Sequence, residues 1–189
     1  GLLIIEVPDW RNNPFDLVIL DHAFHYSRRS ISRLLTEGGW EILSLHDNWV
    51  KKEISVIART GSELAGDSDS ISAMDVELDL TQTAGSLERF IAEIRSGAAG
   101  APFCVFGSSI GAGWLAGHFD DQIRYWLDED PARNGGHFLG LPIIDPDSGD
   151  RKLPVVIPLA PEIAAEVSRK LRDWGYQILA SFDQAELQL

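Results

Sequence analysis

The sequence predicts an α/β protein whose C-terminal half is built on a mostly parallel sheet. Three observations predict it. From Pro102 onward, apolar runs of strand length alternate with helical patterns, the order that gives a parallel sheet with right-handed crossovers. A glycine-rich turn joins the first of these strands to its helix. Residues 1–60 add several β-rich runs and one amphipathic helix, which read as a separate lobe.

In chain order, residues 2–7 read as a strand that Pro8 stops. Asn12, Asn13 and Pro14 mark a turn, and Asp16 to Leu20 is a short apolar stretch that fits either a strand or a helix start. Ser30 to Glu37 is helical, with Ile31, Leu34 and Leu35 on one face and Gly38 just past the end. Trp40–Leu45 and Glu53–Ala58 read as an antiparallel hairpin joined through His46-Asp47-Asn48. Thr60 to Ser72, rich in Gly, Ser and Asp, reads as a linker. Ser86 is placed to cap a helix whose stripe is Leu87, Phe90, Ile91 and Ile94, ended by Gly97. These features divide the chain into a first part over 1–60, a linker and connecting helix over 61–101, and a C-terminal domain over 102–189.

In that last domain, Phe103–Phe106, Ile123–Leu127, Leu141–Ile144, Val155–Leu159 and Tyr176–Ala180 read as strands, with Leu141–Ile144 edge-like. Helices are expected over about 110–117 and from Pro161, which suits a first helical position, to Trp174 before Gly175. The turn after the first strand is Gly107-Ser108-Ser109-Ile110-Gly111-Ala112-Gly113. Against G-x-G-x-x-G/A it matches at Gly107 and Ala112, with Ser109 in the middle slot. Asp128 follows Gly107 by 21 residues, where a dinucleotide fold places its ribose-binding acid. Asp130 and Arg133 follow in a polar, turn-prone stretch at a strand's carboxyl end, Arg133 being the cation placed to meet a phosphate. Gly107, Ser108, Ser109, Asp128, Asp130 and Arg133 are therefore the candidate ligand-binding residues of a Rossmann-like domain. The alternative is that the glycines only let helix pack on strand, and the acidic stretch is a solvated turn.

Composition narrows the functions. The 189 residues are 44% hydrophobic and 24% charged, ordinary for a globular protein. The net charge of −13 argues against nucleic acid, whose binding needs clustered Lys and Arg. No apolar run approaches the roughly 20 residues of a membrane span, and no signal-peptide layout is present, so the expected location is cytoplasmic. A single cysteine, Cys104, excludes an intrachain disulfide and reads as a small buried strand residue. The chain opens directly on a buried-strand pattern with no initiating Met, which reads as a piece of something longer.

Acid–base chemistry is concentrated in the first part. Asp21-His22 pairs an acid with an imidazole that it could orient for proton abstraction, and His25-Tyr26-Ser27 follows. His22-x-x-His25 also has metal-ligand character, but no third ligand has convincing spacing, so no metal is expected. A structural histidine pair is the alternative.

Together, Gly1-Leu-Leu-Ile-Ile-Glu6-Val-Pro8, Asp21-His22, His25-Tyr26-Ser27, the helix ending at Gly38-Gly39 and the paired strands after it resemble the last part of a class I methyltransferase core. The similar proteins are C-methyltransferases acting on nucleotide sugars. Their pattern is a strand ending Glu-x-Pro, a Glu-His pair, a Tyr-Phe-Ser-like stretch and a closing hairpin, followed by a Rossmann-like C-terminal domain. This chain departs in having Asp21 for the Glu, Ile19 where a Tyr is often found, and Asn48-Trp49-Val50-Lys51-Lys52-Glu53 in place of a Gly-Gly-Ser hairpin turn. The resemblance implies an S-adenosylmethionine-dependent enzyme in which Asp21 and His22 are catalytic and a small-molecule or nucleotide-sugar acceptor is the partner. It places the cofactor loop upstream of Gly1, so this chain alone is expected to bind no S-adenosylmethionine and to be inactive. The runner-up is a non-catalytic Rossmann-like module that binds a nucleotide or nucleotide sugar through the Gly107 turn.

Overall fold

The computed structural model describes residues 1–61 and 73–182. The chain divides into two compact units, Gly1–Ala84 and Gly85–Leu189. The N-terminal unit is a three-stranded sheet in which β1 (Leu2–Pro8) and β2 (Trp40–His46) flank β3 (Glu53–Thr60). β3 runs antiparallel to both neighbours, so β1 and β2 run in the same direction and their carboxyl ends lie at the same end of the sheet. Alternation aims Leu3, Ile5 and Val7 at one face, where they meet Ile54 and Val56 of β3 and Ile31 and Leu35 of α1 (Arg28–Glu37). Leu2 and Ile4, on the other face, are exposed.

Helix α1 begins two residues before the stretch expected from sequence. Ser27 is its N-cap, accepting from the Ser30 amide, while the Ser27 amide donates to the Ser30 hydroxyl at 2.8 Å. The ambiguous stretch near Asp16 is neither strand nor α-helix. It is a 3-10 turn over Pro14–Val18, opened by proline and pinned by the buried Phe15.

The C-terminal unit holds a six-stranded sheet, ordered β6-β7-β5-β4-β8-β9 among the described residues. Its members are β4 (Phe103–Phe106), β5 (Ile123–Leu127), β6 (His137–Phe138), β7 (Leu141–Ile144), β8 (Val155–Ile157) and β9 (Ile178–Ser181). All pairings are parallel except β6 with β7, so the sheet is mostly parallel, compatible with a Rossmann-like α/β fold. β7 is not at the edge as expected, because the two-residue β6 folds back beside it.

Three helices besides α1 are described: α2 (Ala73–Ala98), α3 (Ile110–Phe119) and α4 (Pro161–Asp173). Cys104, Phe106, Tyr125 and Leu127 pack with Ala164 and Leu171 of α4 on one side of the sheet. On the other side Phe103 meets Phe119 of α3 edge-on, at 5.6 Å between ring centroids. Phe90 of α2 meets Phe182 in the same manner at 5.4 Å. Each such fully buried side chain contributes roughly 2 kcal/mol of hydrophobic stabilisation. The helix expected to start at Ser86 instead runs through it. Ser86 is fully buried inside α2, so it is not an N-cap. The linker expected over Thr60–Ser72 lies, apart from its first two residues, outside the described residues.

Candidate functional site

Two clusters hold the residues singled out from sequence, one in each unit. In the N-terminal unit, the carboxyl ends of β1 and β2 lead into the loops 9–27 and 47–52. Asp9 fixes the start of the first loop. Its carboxylate accepts from the Arg11 amide at 3.0 Å and from the Asn12 side chain at 2.9 Å, and its own amide donates to the Lys52 carbonyl. Burial raises the Asp9 pKa, opposed by the Arg11 amide. The 3-10 turn then carries Asp16 into the interior, with 2% of its side chain exposed.

Asp16, not Asp21, is the acid that meets His22. One Asp16 carboxylate oxygen lies 2.9 Å from His22 Nδ1, and the other lies 2.8 Å from His25 Nδ1. Asp21 is exposed and makes no hydrogen bond among the described residues. Adjacency in sequence failed because the chain turns at Leu20-Asp21, sending the Asp21 side chain to solvent, while Asp16 lies beneath both rings. An ionised carboxylate only accepts, so both histidines carry hydrogen on Nδ1 and present a bare Nε2 when neutral. Their side chains are 35% and 27% exposed. Exposed Leu20 and Phe24 lie on the same loop, and Trp49, stacked on His46 at 4.1 Å, lies on the other.

The sequence reading found no third metal ligand to join His22 and His25. The structure supplies one in Asp16, nine residues before His25, with one candidate ligand atom from each residue all within 4.8 Å of one another. The available signal was an acid inside the apolar run Phe15-Asp16-Leu17-Val18. A lone acid there must be satisfied on burial, and the nearby imidazoles satisfy it.

In the C-terminal unit, the chain passes from β4 to β5 and β7 on one side, then returns to β8 and β9 on the other. The switch lies between β4 and β8, and the Gly107 turn sits at the carboxyl end of β4, where open α/β sheets bind ligands. Gly107 has φ +87°, which only glycine adopts without strain, and its amide donates to Leu127.

Four of the six predicted binding residues form one hydrogen-bonded network. Asp128 accepts from the Ser108 amide at 3.1 Å, the Ser108 hydroxyl at 2.6 Å and Arg133 at 3.2 Å through one oxygen. Its other oxygen accepts from the Asp130 amide at 3.0 Å. Arg133 also donates to the Ser108 hydroxyl and pairs with Asp130 at 3.4 Å. Burial works to raise the Asp128 pKa, but the bonds from Ser108, Asp130 and Arg133 outweigh it and hold the carboxyl below the ordinary range. Ser109 is the N-cap of α3, yet its side chain makes no capping hydrogen bond.

This geometry changes the chemistry of the turn. The Ser108 amide, which a phosphate would use, already donates to a carboxylate. The network leaves an acid and a half-exposed guanidinium side by side, a pair suited to hydroxyl groups more than to a bare phosphate. Nearby, the Asn134 side-chain nitrogen donates to Asp145 at 3.0 Å, while its buried oxygen has no hydrogen-bond partner.

No protein-family model matches the chain, and no curated protein matches it either. No helix among the described residues is long and apolar enough to cross a membrane.

Proposed function

We propose that this chain forms the acceptor-side part of an S-adenosylmethionine-dependent methyltransferase, with His22 taking the proton from the acceptor. The observation that carries the reading is the buried Asp16 carboxylate against His22 Nδ1 at 2.9 Å. It holds the ring in the tautomer whose Nε2 is a base, and that ring is open to solvent. The strand, acid–histidine loop, serine-capped helix and closing hairpin follow one another in the order that the resemblance to C-methyltransferases implies. In the reaction, His22 Nε2 removes a proton from carbon beside a carbonyl. S-adenosylmethionine, when bound, would supply the methyl group to that carbon.

The half-reaction is measurable without the methyl donor. Incubated in D2O with a ketone-bearing TDP-sugar, the chain is expected to exchange the acidic C–H for deuterium, and His22→Gln is expected to remove that exchange. Binding of the sugar without exchange above buffer would defeat the assignment of His22 as base. Calorimetry of this chain with S-adenosylmethionine is expected to show no tight binding.

A second reading rests on the C-terminal unit. Ser108, Asp128, Asp130 and Arg133 meet at the sheet's switch point, which favours a nucleotide-sugar module engaging hydroxyl groups. Thermal shift with UDP-, TDP- and GDP-sugars tests it. A response that Gly107→Val removes supports this site, and a response that survives the change places the ligand elsewhere.

A further inference from the structure

We propose that Asp16, His22 and His25 form a site for one divalent transition-metal ion of the zinc class. The three residues offer two ring nitrogens and one carboxylate oxygen, all within 4.8 Å of one another. That donor set, with a coordination position left over, is typical of sites where a metal holds an exchangeable ligand. The partly exposed rings leave that position on the solvent side, while the buried Asp16 anchors the site from beneath. Tetrahedral ligands on bonds of about 2.1 Å lie roughly 3.4 Å apart. The present Nδ1 to oxygen distances are 2.9 and 2.8 Å. These contacts run to different oxygens of Asp16, and the three ligand atoms lie within 4.8 Å of one another, so admitting an ion means drawing both nitrogens about one carboxylate oxygen.

The proton balance is simple. In the metal-free protein each neutral imidazole carries its hydrogen on Nδ1, donated to Asp16. An ion taking both Nδ1 lone pairs moves each hydrogen to Nε2 through solvent, with no net proton released. The cluster's charge changes from −1 to +1. The ligand suited to the open position is an oxygen of a carbonyl or carboxylate compound, whose apolar part meets Leu20 and Phe24 on the same loop. Metal binding and the base role assigned to His22 exclude each other, because metallation of Nδ1 leaves Nε2 protonated. The site itself does not depend on the methyl-transfer reading.

The test uses the tag-free 189-residue chain, stripped with EDTA and titrated with Co(II) and with Zn(II) by calorimetry and visible absorption. The expected result is one equivalent bound, with Co(II) ligand-field bands that Zn(II) displaces. Affinity is expected to fall at least about tenfold in His25→Gln and in Asp16→Asn, with saturable binding lost in the His22→Gln/His25→Gln double variant. His25→Gln, at a partly exposed position, keeps the test decisive if Asp16→Asn does not fold. No saturable binding to the unaltered chain would overturn the proposal. So would undiminished binding to the double variant, which would place the ion at His46, His118 or His137. Zn(II) is also expected to stop the deuterium exchange described above, and EDTA to restore it. Metal binding without any exchange in EDTA would defeat the base and leave the metal site standing.

Discussion

The side chains most constrained in this protein are those whose neighbours leave no alternative. Gly149 is the sharpest case. A Cβ there would collide with the Tyr176 hydroxyl and approach Leu127 Cδ2 to 2.9 Å. Tyr176 cannot give way, because its hydroxyl donates to the Pro146 carbonyl and accepts from Arg151. Gly149→Ala is therefore expected to cost about 2 kcal/mol or more in a denaturant titration, by overpacking. Cys104 is constrained chemically. Burial pushes its thiol up to about 12, against the opposing hydrogen bond with Tyr125. It is expected to resist thiol reagents at pH 8 in the native state and to react fully in denaturant. Fast native labelling would contradict the packing of β4.

At the scale of elements, α1 shows how a cap sets a boundary. The serine pair Ser27 and Ser30 holds the first turn through reciprocal bonds. Ser27→Ala is expected to lower stability by about 1 kcal/mol, seen as a shift in denaturant midpoint without a change in slope. The described strands other than β6 were legible because each is a short apolar or alternating run bounded by Gly, Pro or a polar turn, whereas the two residues of β6 carry no such pattern. β4 and β5 are recognisable from four or five letters each. α2 was legible only in its second half. Gly85-Ser86 reads as a helix start because serine favours caps, but Ser86 is fully buried and the helix passes through. Tertiary packing overrides local preference there. The candidate sites divide in the same way. Ser108, Asp128 and Arg133 were legible as candidate ligand-binding residues from the strand–turn–helix arrangement, though not as partners of one another. Asp16 was not, because a 3-10 turn brings it beneath residues six and nine positions later.

For the whole molecule, charge and burial together set the response to pH. The chain carries −13, so its folded form is under self-repulsion at neutral pH. Two carboxyls add to that burden. Burial raises the pKa of Asp9, and burial together with the nearby Glu6 raises that of Glu53. A carboxyl whose folded pKa is raised favours the folded state at low pH, and that contribution is lost as pH rises through the folded value. Asp128 acts in the opposite sense. Its pKa is lowered, so its contribution is present above the unfolded value near 3.8 and disappears as pH falls through the lower folded value. Stability is therefore expected to rise as pH falls from neutrality through the raised Asp9 and Glu53 values, then to fall once pH drops below the ordinary carboxylate value near 3.8 and Asp128 takes up its proton. Thermal unfolding across that range checks it. In Asp128→Ala the Ser108 amide and Arg133 lose their shared acceptor, costing about 2 kcal/mol at pH 7. The variant's acid limb is expected to be shallower than that of the unaltered chain. If the two limbs superimpose, the carboxylate is not what holds the Gly107 turn to the end of β5.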